Sequence, residues 1–137
     1  MISLVSVTSL EELQRLITTE EDCIPILYHA KWPHGFKCPY CQHNEAYLIR
    51  TRRLPLYECR ECRYQTSLTA DTILANSRTS LRKWITAIWL VSRSDKGINA
   101  VQLHTIIQVT YKTSWLMLHK IRASIHIEDQ NQQLNGK

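Results

Sequence analysis

The stretch that decides the fold of the first half is Cys38-Pro39-Tyr40-Cys41, followed after 17 residues by Cys59-Arg60-Glu61-Cys62. Two thiolates at positions i and i+3 on a tight turn can bind one face of a tetrahedral metal ion, and a second such turn supplies the other face. The residues between the pairs read as two short strands joined by a basic turn, long enough for the hairpin that brings the pairs together. The spacing therefore predicts a zinc ribbon. In it Cys38, Cys41, Cys59 and Cys62 hold one structural Zn²⁺ with no open coordination position.

Two alternatives to the metal site stay open at the level of sequence, because the four cysteines could be free thiols or form disulfides. The first residues carry Glu11 and Glu12 and lack the basic region of a secretion signal, which favours metal over disulfides. Cys23 stands alone before the first pair, and we expect a buried, inert thiol there. His34 and His43 flank the first pair, but four cysteines already complete a tetrahedral site, so neither is expected to be a ligand.

Hydrophobic spacing divides the rest of the chain. Apolar residues recur with a helical period after the Ser9 cap and again after Ser80, whereas residues 36–67 contain short extended pieces. We therefore predict a small α+β protein with N-terminal helices, a four-cysteine zinc ribbon of short antiparallel strands, and a C-terminal helical helix-turn-helix bundle. The predicted segments are residues 1–31 (N-terminal helices), 32–72 (zinc ribbon), 78–126 (helix-turn-helix bundle) and 127–137 (a polar, frayed tail).

Charge is distributed unevenly along the chain. The net charge is +5, yet residues 1–30 contain one basic against five acidic residues, and residues 31–137 contain 16 basic against seven acidic residues. Such a field favours a polyanionic partner such as nucleic acid, although a merely soluble basic surface is the open alternative. No apolar run approaches the roughly 20 residues that span a bilayer, so we expect a cytoplasmic protein, nucleoid-associated when bound to DNA, with no membrane partner and no small-molecule substrate.

The C-terminal half contains a pattern typical of a helix-turn-helix. Residues 100–107, a turn at residues 108–110 and a helix from Tyr111 have the right proportions, with Thr110 as a helix cap. The first residues of such a second helix meet base edges in the major groove, and cations further along suit phosphates. The expected DNA contacts are Arg50, Arg52, Arg53, Tyr111, Lys112, Thr113, Leu116, Lys120 and Arg122. An ordinary helical hairpin with a basic face stays open. We expect Trp84, Trp89 and Trp115 to be core anchors rather than platforms on which bases stack.

Several runs of the sequence resemble bacterial insertion-sequence transposases that begin with a transposase zinc-ribbon domain. The matching runs are Trp32-Pro33-x-Gly35-Phe36-x-Cys38-Pro39-x-Cys41, Tyr57-x-Cys59-Arg60-x-Cys62-Arg63-x-Gln65-Thr66-Ser67-x-Thr69-Ala70-x-Thr72, Leu81-Arg82-Lys83-Trp84, Lys96-Gly97-Ile98-x-Ala100 and Tyr111-Lys112-Thr113-x-Trp115-x-Met117-Leu118. The resemblance covers roughly residues 18 to 123 in family order. It implies a helix-turn-helix that binds double-stranded DNA at the terminal inverted repeats of a mobile element.

Members of this family continue into a nuclease domain with an acidic metal triad, which cuts and joins strands by two-metal chemistry. Only 15 residues follow Arg122, so we expect the chain alone not to be an enzyme. Three functions follow as hypotheses. The chain is a DNA-binding regulator or remnant that competes with intact transposase, the DNA-binding half of a split transposase completed by a separate catalytic chain, or a protein-interaction module.

The sequence also departs from the family pattern at several positions. Gln42, Asp71 and Gln108 stand where relatives tend to have Gly, and a positive φ at a residue such as Gln108 costs on the order of 1 kcal/mol. His104 occupies a position that is usually small, and Leu116 replaces what is often Arg. These departures suggest the hypothesis of relaxed constraint in a decaying element.

Overall fold

The computed structural model describes residues 7–50, 54–93 and 97–135, and of residues 125–135 it describes the helical backbone alone. The elements are α1 (Leu10–Leu16), α2 (Cys23–Lys31), β1 (Ala46–Ile49), β2 (Leu56–Cys59), β3 (Gln65–Ser67), α3 (Leu81–Arg93), α4 (Ala100–Ile107) and α5 (Tyr111–Asn135). The three strands form one antiparallel sheet in the order β1-β2-β3. The predicted α+β class is confirmed.

Local side chains start the first two helices. The Ser9 hydroxyl accepts a hydrogen bond from the Glu12 N–H at 3.2 Å, as predicted for a helix cap. Before α2, the Asp22 carboxylate accepts from the Thr19 N–H at 2.9 Å, and the Thr19 hydroxyl accepts from the Asp22 N–H at 3.3 Å. Pro25 is tolerated because it lies in the first turn of α2, where a helix does not use the missing N–H. A polar side chain thus caps α1, and the Thr19–Asp22 pair fixes the turn that leads into α2, whose N-cap residue makes no side-chain cap hydrogen bond.

The sheet pairs its strands in a register that separates two faces. Tyr47 lies opposite Glu58, and Leu48 opposite Tyr57. Because side chains alternate along a strand, Tyr57 points to the inner face while Glu58 points to the outer one. Tyr57 is buried, whereas Tyr47 on the outer face is exposed. The short antiparallel strands that the sequence predicts for the ribbon are confirmed.

Two apolar cores organise the chain. The bundle core contains the buried residues Val7, Leu13, Ile17, Cys23, Leu74, Leu81, Trp84, Ile85, Ala87, Trp89, Ile98, Ala100, Leu103, Ile107, Met117, Leu118 and Ile121. The ribbon core contains Trp32, Phe36, Cys38, Tyr57, Cys59 and Leu68. Leu27 of α2 packs against both cores, so α2 connects them. The N-terminal helices are therefore part of the packed structure.

Glu20 joins the N-terminal segment to the start of α3. Its carboxylate accepts hydrogen bonds from the backbone N–H groups of Leu81 at 2.9 Å and Arg82 at 3.0 Å. In return, Nε of Arg82 donates to the carbonyl oxygen of Ile17 at 2.7 Å. The first N–H groups of a helix have no partner within it, and an anion is favoured there by the helix dipole. Glu20 thus caps α3 from 61 residues away in sequence.

Replacement of Glu20 by alanine is expected to lower the free energy of unfolding by about 1–2 kcal/mol, since it removes both acceptors from the start of α3. Urea denaturation of the metal-loaded protein measures the change. Glu21→Ala is the matched control, because Glu21 is exposed and should change stability by less than about 0.5 kcal/mol. Equal midpoints for the two variants would rule out the long-range cap.

The C-terminal helix is longer than the sequence suggests. A frayed tail from residue 127 is predicted, yet α5 continues through Asn135. The physical reason is that no Pro or Gly interrupts the chain between Tyr111 and Gly136, and Glu and Gln sustain helices well.

Among the described residues, no helix has both the length and the apolar character required to cross a membrane.

Candidate metal centre and nucleic-acid interface

The four paired cysteines converge on one point. Their Sγ atoms all lie within 4.8 Å of one another, and Cys38 to Cys62 and Cys41 to Cys59 measure 3.6 Å and 3.5 Å. A Zn²⁺ ion with Zn–S bonds of about 2.3 Å separates tetrahedral sulfurs by about 3.8 Å. The spacing thus fits a four-thiolate metal site, and the four cysteines are positioned to hold one ion. The metal site that the sequence predicts at these residues therefore has suitable geometry.

The first cysteine pair lies on a turn that points backbone N–H groups at a sulfur. The N–H groups of Tyr40 and Cys41 each lie 3.4 Å from Sγ of Cys38. The turn is closed by hydrogen bonds from the Cys38 N–H to the His43 carbonyl at 2.8 Å and from the Gln42 N–H to the Cys38 carbonyl at 3.0 Å. Gln42 has a φ of +70°, which confirms the positive φ expected there. A residue other than Gly accepts this conformation at some strain.

The second pair repeats this turn in detail. The N–H groups of Glu61 and Cys62 lie 3.4 Å and 3.5 Å from Sγ of Cys59. The Cys59 N–H donates to the Tyr64 carbonyl at 2.9 Å, and the Arg63 N–H donates to the Cys59 carbonyl at 3.0 Å. Arg63, with a φ of +67°, takes the place of Gln42. The two halves of the site therefore share one backbone design, although their sequences differ between the cysteines.

The electrostatics of the cluster suit a cation. Burial opposes ionisation of Cys38, but the N–H groups of Cys41 and the residue before it outweigh burial and lower the pKa of the thiol to about 7. The Tyr64 N–H lowers the pKa of Cys62, but burial and the three neighbouring sulfurs outweigh that hydrogen bond and raise the pKa to about 12. Four thiolates so close together repel one another, and a divalent cation between them removes that repulsion.

Cys23 lies apart from this cluster in the bundle core. Its Sγ is 3.8 Å from the Thr19 carbonyl oxygen, and burial, together with the Glu20 carboxylate, raises the pKa of the thiol to about 12. The expectation of a buried thiol is confirmed. His34 is exposed, and His43 contributes its backbone carbonyl to the first turn. Sequence reasoning therefore separated the four candidate ligands from the remaining cysteine and the flanking histidines.

Hydrogen bonds fix the start of α4 and the turn between α4 and α5. Asn99 and Gln102 form a reciprocal capping box at the start of α4. Gln108 ends it with a φ of +59°, and its carbonyl accepts a hydrogen bond from Lys83 of α3 at 3.0 Å. The Thr110 hydroxyl accepts from the Thr113 N–H at 3.2 Å, which confirms the predicted cap of α5. The predicted boundaries of this helical pair are confirmed at Ile107 and Tyr111.

Packing orients α5. Its buried residues are Ser114, Met117, Leu118 and Ile121. Ser114 allows close approach to α4 because its hydroxyl donates to the Ala100 carbonyl at 2.9 Å. His104 of α4 is half-buried, with Nδ1 3.3 Å from the Val109 carbonyl oxygen and its ring 6.2 Å from that of Tyr111. The larger side chain at this position therefore packs against the start of α5 and is accommodated.

The opposite face of α5 is open to solvent. The expected DNA contacts Tyr111, Lys112, Leu116 and Lys120 are all exposed. Two others are engaged within the fold: Thr113 is half-buried and its hydroxyl accepts from Thr110 at 2.9 Å, and Arg122 donates through Nη2 to the Ile98 carbonyl at 2.7 Å. The structure thus brings four of these side chains onto one face.

The prediction that Trp115 is a core anchor is wrong. Its side chain is 46% exposed, with its ring 3.9 Å from that of His119. The buried residues of α5 are Ser114, Met117, Leu118 and Ile121, and Trp115 is rotated by about 100° around the helix from Ser114, away from that stripe. Trp84 and Trp89 are buried as predicted.

The metal-binding half is similar to a known protein family. Residues 18–65, which include all four clustered cysteines, match the family model described as transposase zinc-ribbon domain. Residues 18–65 are thus similar to a transposase zinc-ribbon domain, and we call them the zinc-ribbon domain. The chain is also 27% identical over 100 residues to "Uncharacterized protein in transposable element ISH50" from Halobacterium salinarum. This alignment covers 72% of the chain and 33% of the relative, so the chain spans about a third of that relative's length. No solved structure matches it.

Part of the positive charge on the described surface of the zinc-ribbon domain is paired with acidic residues. Arg50 is exposed just after β1, while Arg52 and Arg53 lie outside the described residues. Arg60 pairs with Glu45 at 3.3 Å and also lies 4.8 Å from the centre of the Tyr47 ring. This ion pair partly neutralises the charge of Arg60. Of the three arginines predicted to contact DNA on this domain, Arg50 is the one that the structure describes.

Exposed aromatic residues are the feature of the zinc-ribbon domain that sequence analysis missed. Tyr40, which is 76% exposed, stacks on Tyr64 with ring centres 6.0 Å apart and nearly parallel planes. Arg63 lies over Tyr47 at 5.5 Å and pairs with Glu58 at 3.3 Å. The sequence signal for this aromatic surface is Tyr40, which stands between Cys38 and Cys41 and points away from the metal site.

Proposed function

We propose that this chain is a zinc-stabilised DNA-binding module of an insertion element. The zinc-ribbon domain forms one half, with Zn²⁺ held by Cys38, Cys41, Cys59 and Cys62. Helices α4 and α5 act as the helix-turn-helix of the other half, and α5 lies in the major groove. The target is the terminal inverted repeats of the element. The printed name of the ISH50 relative supports the association with a transposable element.

The observation that carries this proposal is the outer face of α5. Lys112 and Lys120 are both exposed on it, and residues 111–127 contain no Asp or Glu. A cationic face without a carboxylate attracts a polyanion along its whole length, and the attraction is strongest within a Debye length of roughly 10 Å. Lys112, in the first turn, is placed for base edges, and Lys120, two turns later, for a phosphate.

The metal supplies folding energy in this proposal. Four thiolates leave no position for a water molecule, so the ion stabilises the domain and does not activate a nucleophile. The ribbon core has few apolar residues of its own, with two of the cysteines among them. The metal therefore sets the shape from which Arg50 reaches a phosphate.

A zinc-ribbon domain is the part of such proteins that does not catalyse strand cleavage. We accordingly assign DNA binding, and not cutting, to the described residues. Bound to element ends, the chain competes with intact transposase or recruits a separate catalytic chain. These two hypotheses differ in whether a nuclease protein binds together with the chain on DNA, which co-sedimentation on an end-containing duplex distinguishes.

A second candidate function, docking on a protein, is favoured by the aromatic surface of the zinc-ribbon domain. The exposed Tyr40–Tyr64 stack sits beside arginines whose charge is partly neutralised by Glu45 and Glu58. Aromatic residues and arginine are enriched at protein interfaces. This candidate predicts weak nucleic-acid binding at physiological salt.

Lys112→Ala is expected to weaken duplex binding about 10-fold and to change base preference, as loss of a base contact costs roughly 1–3 kcal/mol. Fluorescence anisotropy of the zinc-loaded protein with duplexes selected from a random-sequence pool measures both. Arg15→Ala is the matched control: it removes the same charge from an exposed position on α1 and should bind like the parent.

Salt titration completes the test. Affinity of the parent should fall steeply between roughly 50 mM and 200 mM salt, because phosphates neutralised by the protein release counterions. Equal affinities for Lys112→Ala and the parent would reject α5 as the reading helix. Failure of the parent to bind any duplex at the lower salt concentration would reject DNA binding and favour protein docking.

A further inference from the structure

We infer that Trp115, held by His119, reads the 5-methyl group of thymine in the major groove. The inference rests on the proposed function and adds to it a base preference and a residue that carries it. Neither side chain is needed for the packing of the bundle core.

The two rings occupy the outer face of α5. Tyr111, Trp115 and His119 follow one another at intervals of four residues, which places them in one row along the helix. The rings of Trp115 and His119 lie 3.9 Å apart at an interplanar angle of 48°, so His119 restrains the indole. Tyr111 is 52% exposed at the start of the row. The result is an apolar ridge that begins in the turn of α5 expected to meet bases.

A parallel row gives this ridge a charged border. Lys112, Leu116 and Lys120 follow one another at the same interval, and Leu116 is 45% exposed beside Trp115. Leu116 thus lies between two lysines, and the row that they form runs along one side of the aromatic ridge. Exposed apolar surface of this kind normally marks a binding site.

The charges decide between DNA and a second copy of the chain as the occupant. Packing this face against its own copy would bring the Lys112 and Lys120 side chains of both copies together, and no Asp or Glu within residues 111–127 could pair with them. Like charges brought together at an interface oppose association. A duplex presents phosphates along the edges of the major groove, beside the base edges that form its floor. It therefore complements the lysine border and the aromatic ridge at once.

The chemistry of the major groove selects thymine. The four base pairs present hydrogen-bonding groups there, and the one apolar group among them is the 5-methyl of thymine. A restrained indole offers a broad apolar surface to that methyl at little further entropy cost. Removing one methyl from such a contact is expected to reduce affinity roughly fourfold.

Uracil substitution tests the inference directly. Duplexes selected by the parent protein from a random-sequence pool are synthesised with each thymine replaced in turn by deoxyuridine, which removes the methyl alone. We expect the parent to lose roughly fourfold in affinity at one or two positions. Trp115→Ala should bind the thymine duplex as weakly as the parent binds the uracil duplex, and it should show no loss on substitution. Trp115→Phe should retain part of the discrimination.

Controls keep the outcomes distinct. Val101→Ala removes an equally exposed apolar side chain from α4 and should leave the thymine preference intact. If the parent binds no duplex, the proposed function fails and this inference with it. If the parent binds DNA but tolerates uracil everywhere, or Trp115→Ala keeps the uracil effect, this inference alone is overturned. A dimer in sedimentation that Trp115→Ala dissociates, without any uracil effect, would assign the ridge to a second copy instead.

Discussion

Chelation of the metal is expected to unfold the zinc-ribbon domain while helices α3 to α5 remain folded. Structural zinc contributes roughly 10–16 kcal/mol of apparent binding energy in small zinc domains, far more than a small apolar core can replace. Hydrogen exchange measures the result: amide protection should disappear from the strands Ala46–Ile49 and Leu56–Cys59. Protection in Leu81–Arg93 should persist, because the bundle core does not include any of the four clustered cysteines.

Cysteine substitutions supply the matched control for this result. Cys38→Ser should reduce zinc affinity at least about 100-fold and reproduce the exchange pattern of the chelated protein. Cys23→Ser should still bind one zinc ion, since Cys23 is buried in the bundle core away from the site. Zinc content after dialysis and a competition titration with a chelator report both effects. Loss of zinc from Cys23→Ser, or retention by Cys38→Ser, would contradict the four-cysteine assignment.

Trp84→Ala is expected to lower the free energy of unfolding by about 3–5 kcal/mol. The side chain is 1% exposed in the bundle core, and its Nε1 donates to the Ser77 hydroxyl at 2.9 Å. Truncation leaves a cavity and removes one of the two hydrogen bonds that the Ser77 hydroxyl accepts, and the total stability of a domain is only about 5–15 kcal/mol. Urea denaturation followed by far-ultraviolet circular dichroism gives the difference without relying on tryptophan fluorescence.

Trp115→Ala provides the comparison, because it makes the same chemical change at an exposed position of the same bundle. Its effect on stability should be below about 0.5 kcal/mol. Trp84→Phe should lower the free energy of unfolding by an intermediate amount, roughly 1–3 kcal/mol. It retains most of the apolar volume but loses the hydrogen bond to Ser77. Similar losses for the two alanine variants would mean that the bundle core is not where we place it.

Much of this structure could be predicted from local chemistry. The spacing of the cysteines predicted both turns of the metal site, and short polar side chains such as Ser9 and Thr110 predicted helix starts that the hydrogen bonds confirm. Gln42 and Gln108 have the positive φ that their positions suggested. These features could be predicted because each depends on a few neighbouring residues, whose conformational preferences do not require the rest of the fold.

The features that were missed depend on partners distant in sequence. Glu20 looks like part of a solvated acidic run, and its role follows only once α3 has been placed beside it. Trp115 is apolar and lies in a helix, so composition alone puts it inside. The buried face of α5 instead includes Ser114, whose small side chain lets α5 approach the Ala100 carbonyl closely. The helical period does place Ser114, Met117, Leu118 and Ile121 on one face of α5, as the structure has them, so the error at Trp115 came from its apolar composition and not from the pattern.

Helix α2 has a consequence for the length of the DNA site. Leu27 packs against both cores, and the nine residues Cys23–Lys31 form one uninterrupted helix between them. A short helix is stiff, so α2 keeps Arg50 and the start of α5 at a set separation. If both touch the same duplex, the number of base pairs between their contacts is fixed by the protein. Inserting half a helical turn between the two contact points, about five base pairs, would put them on opposite sides of the DNA.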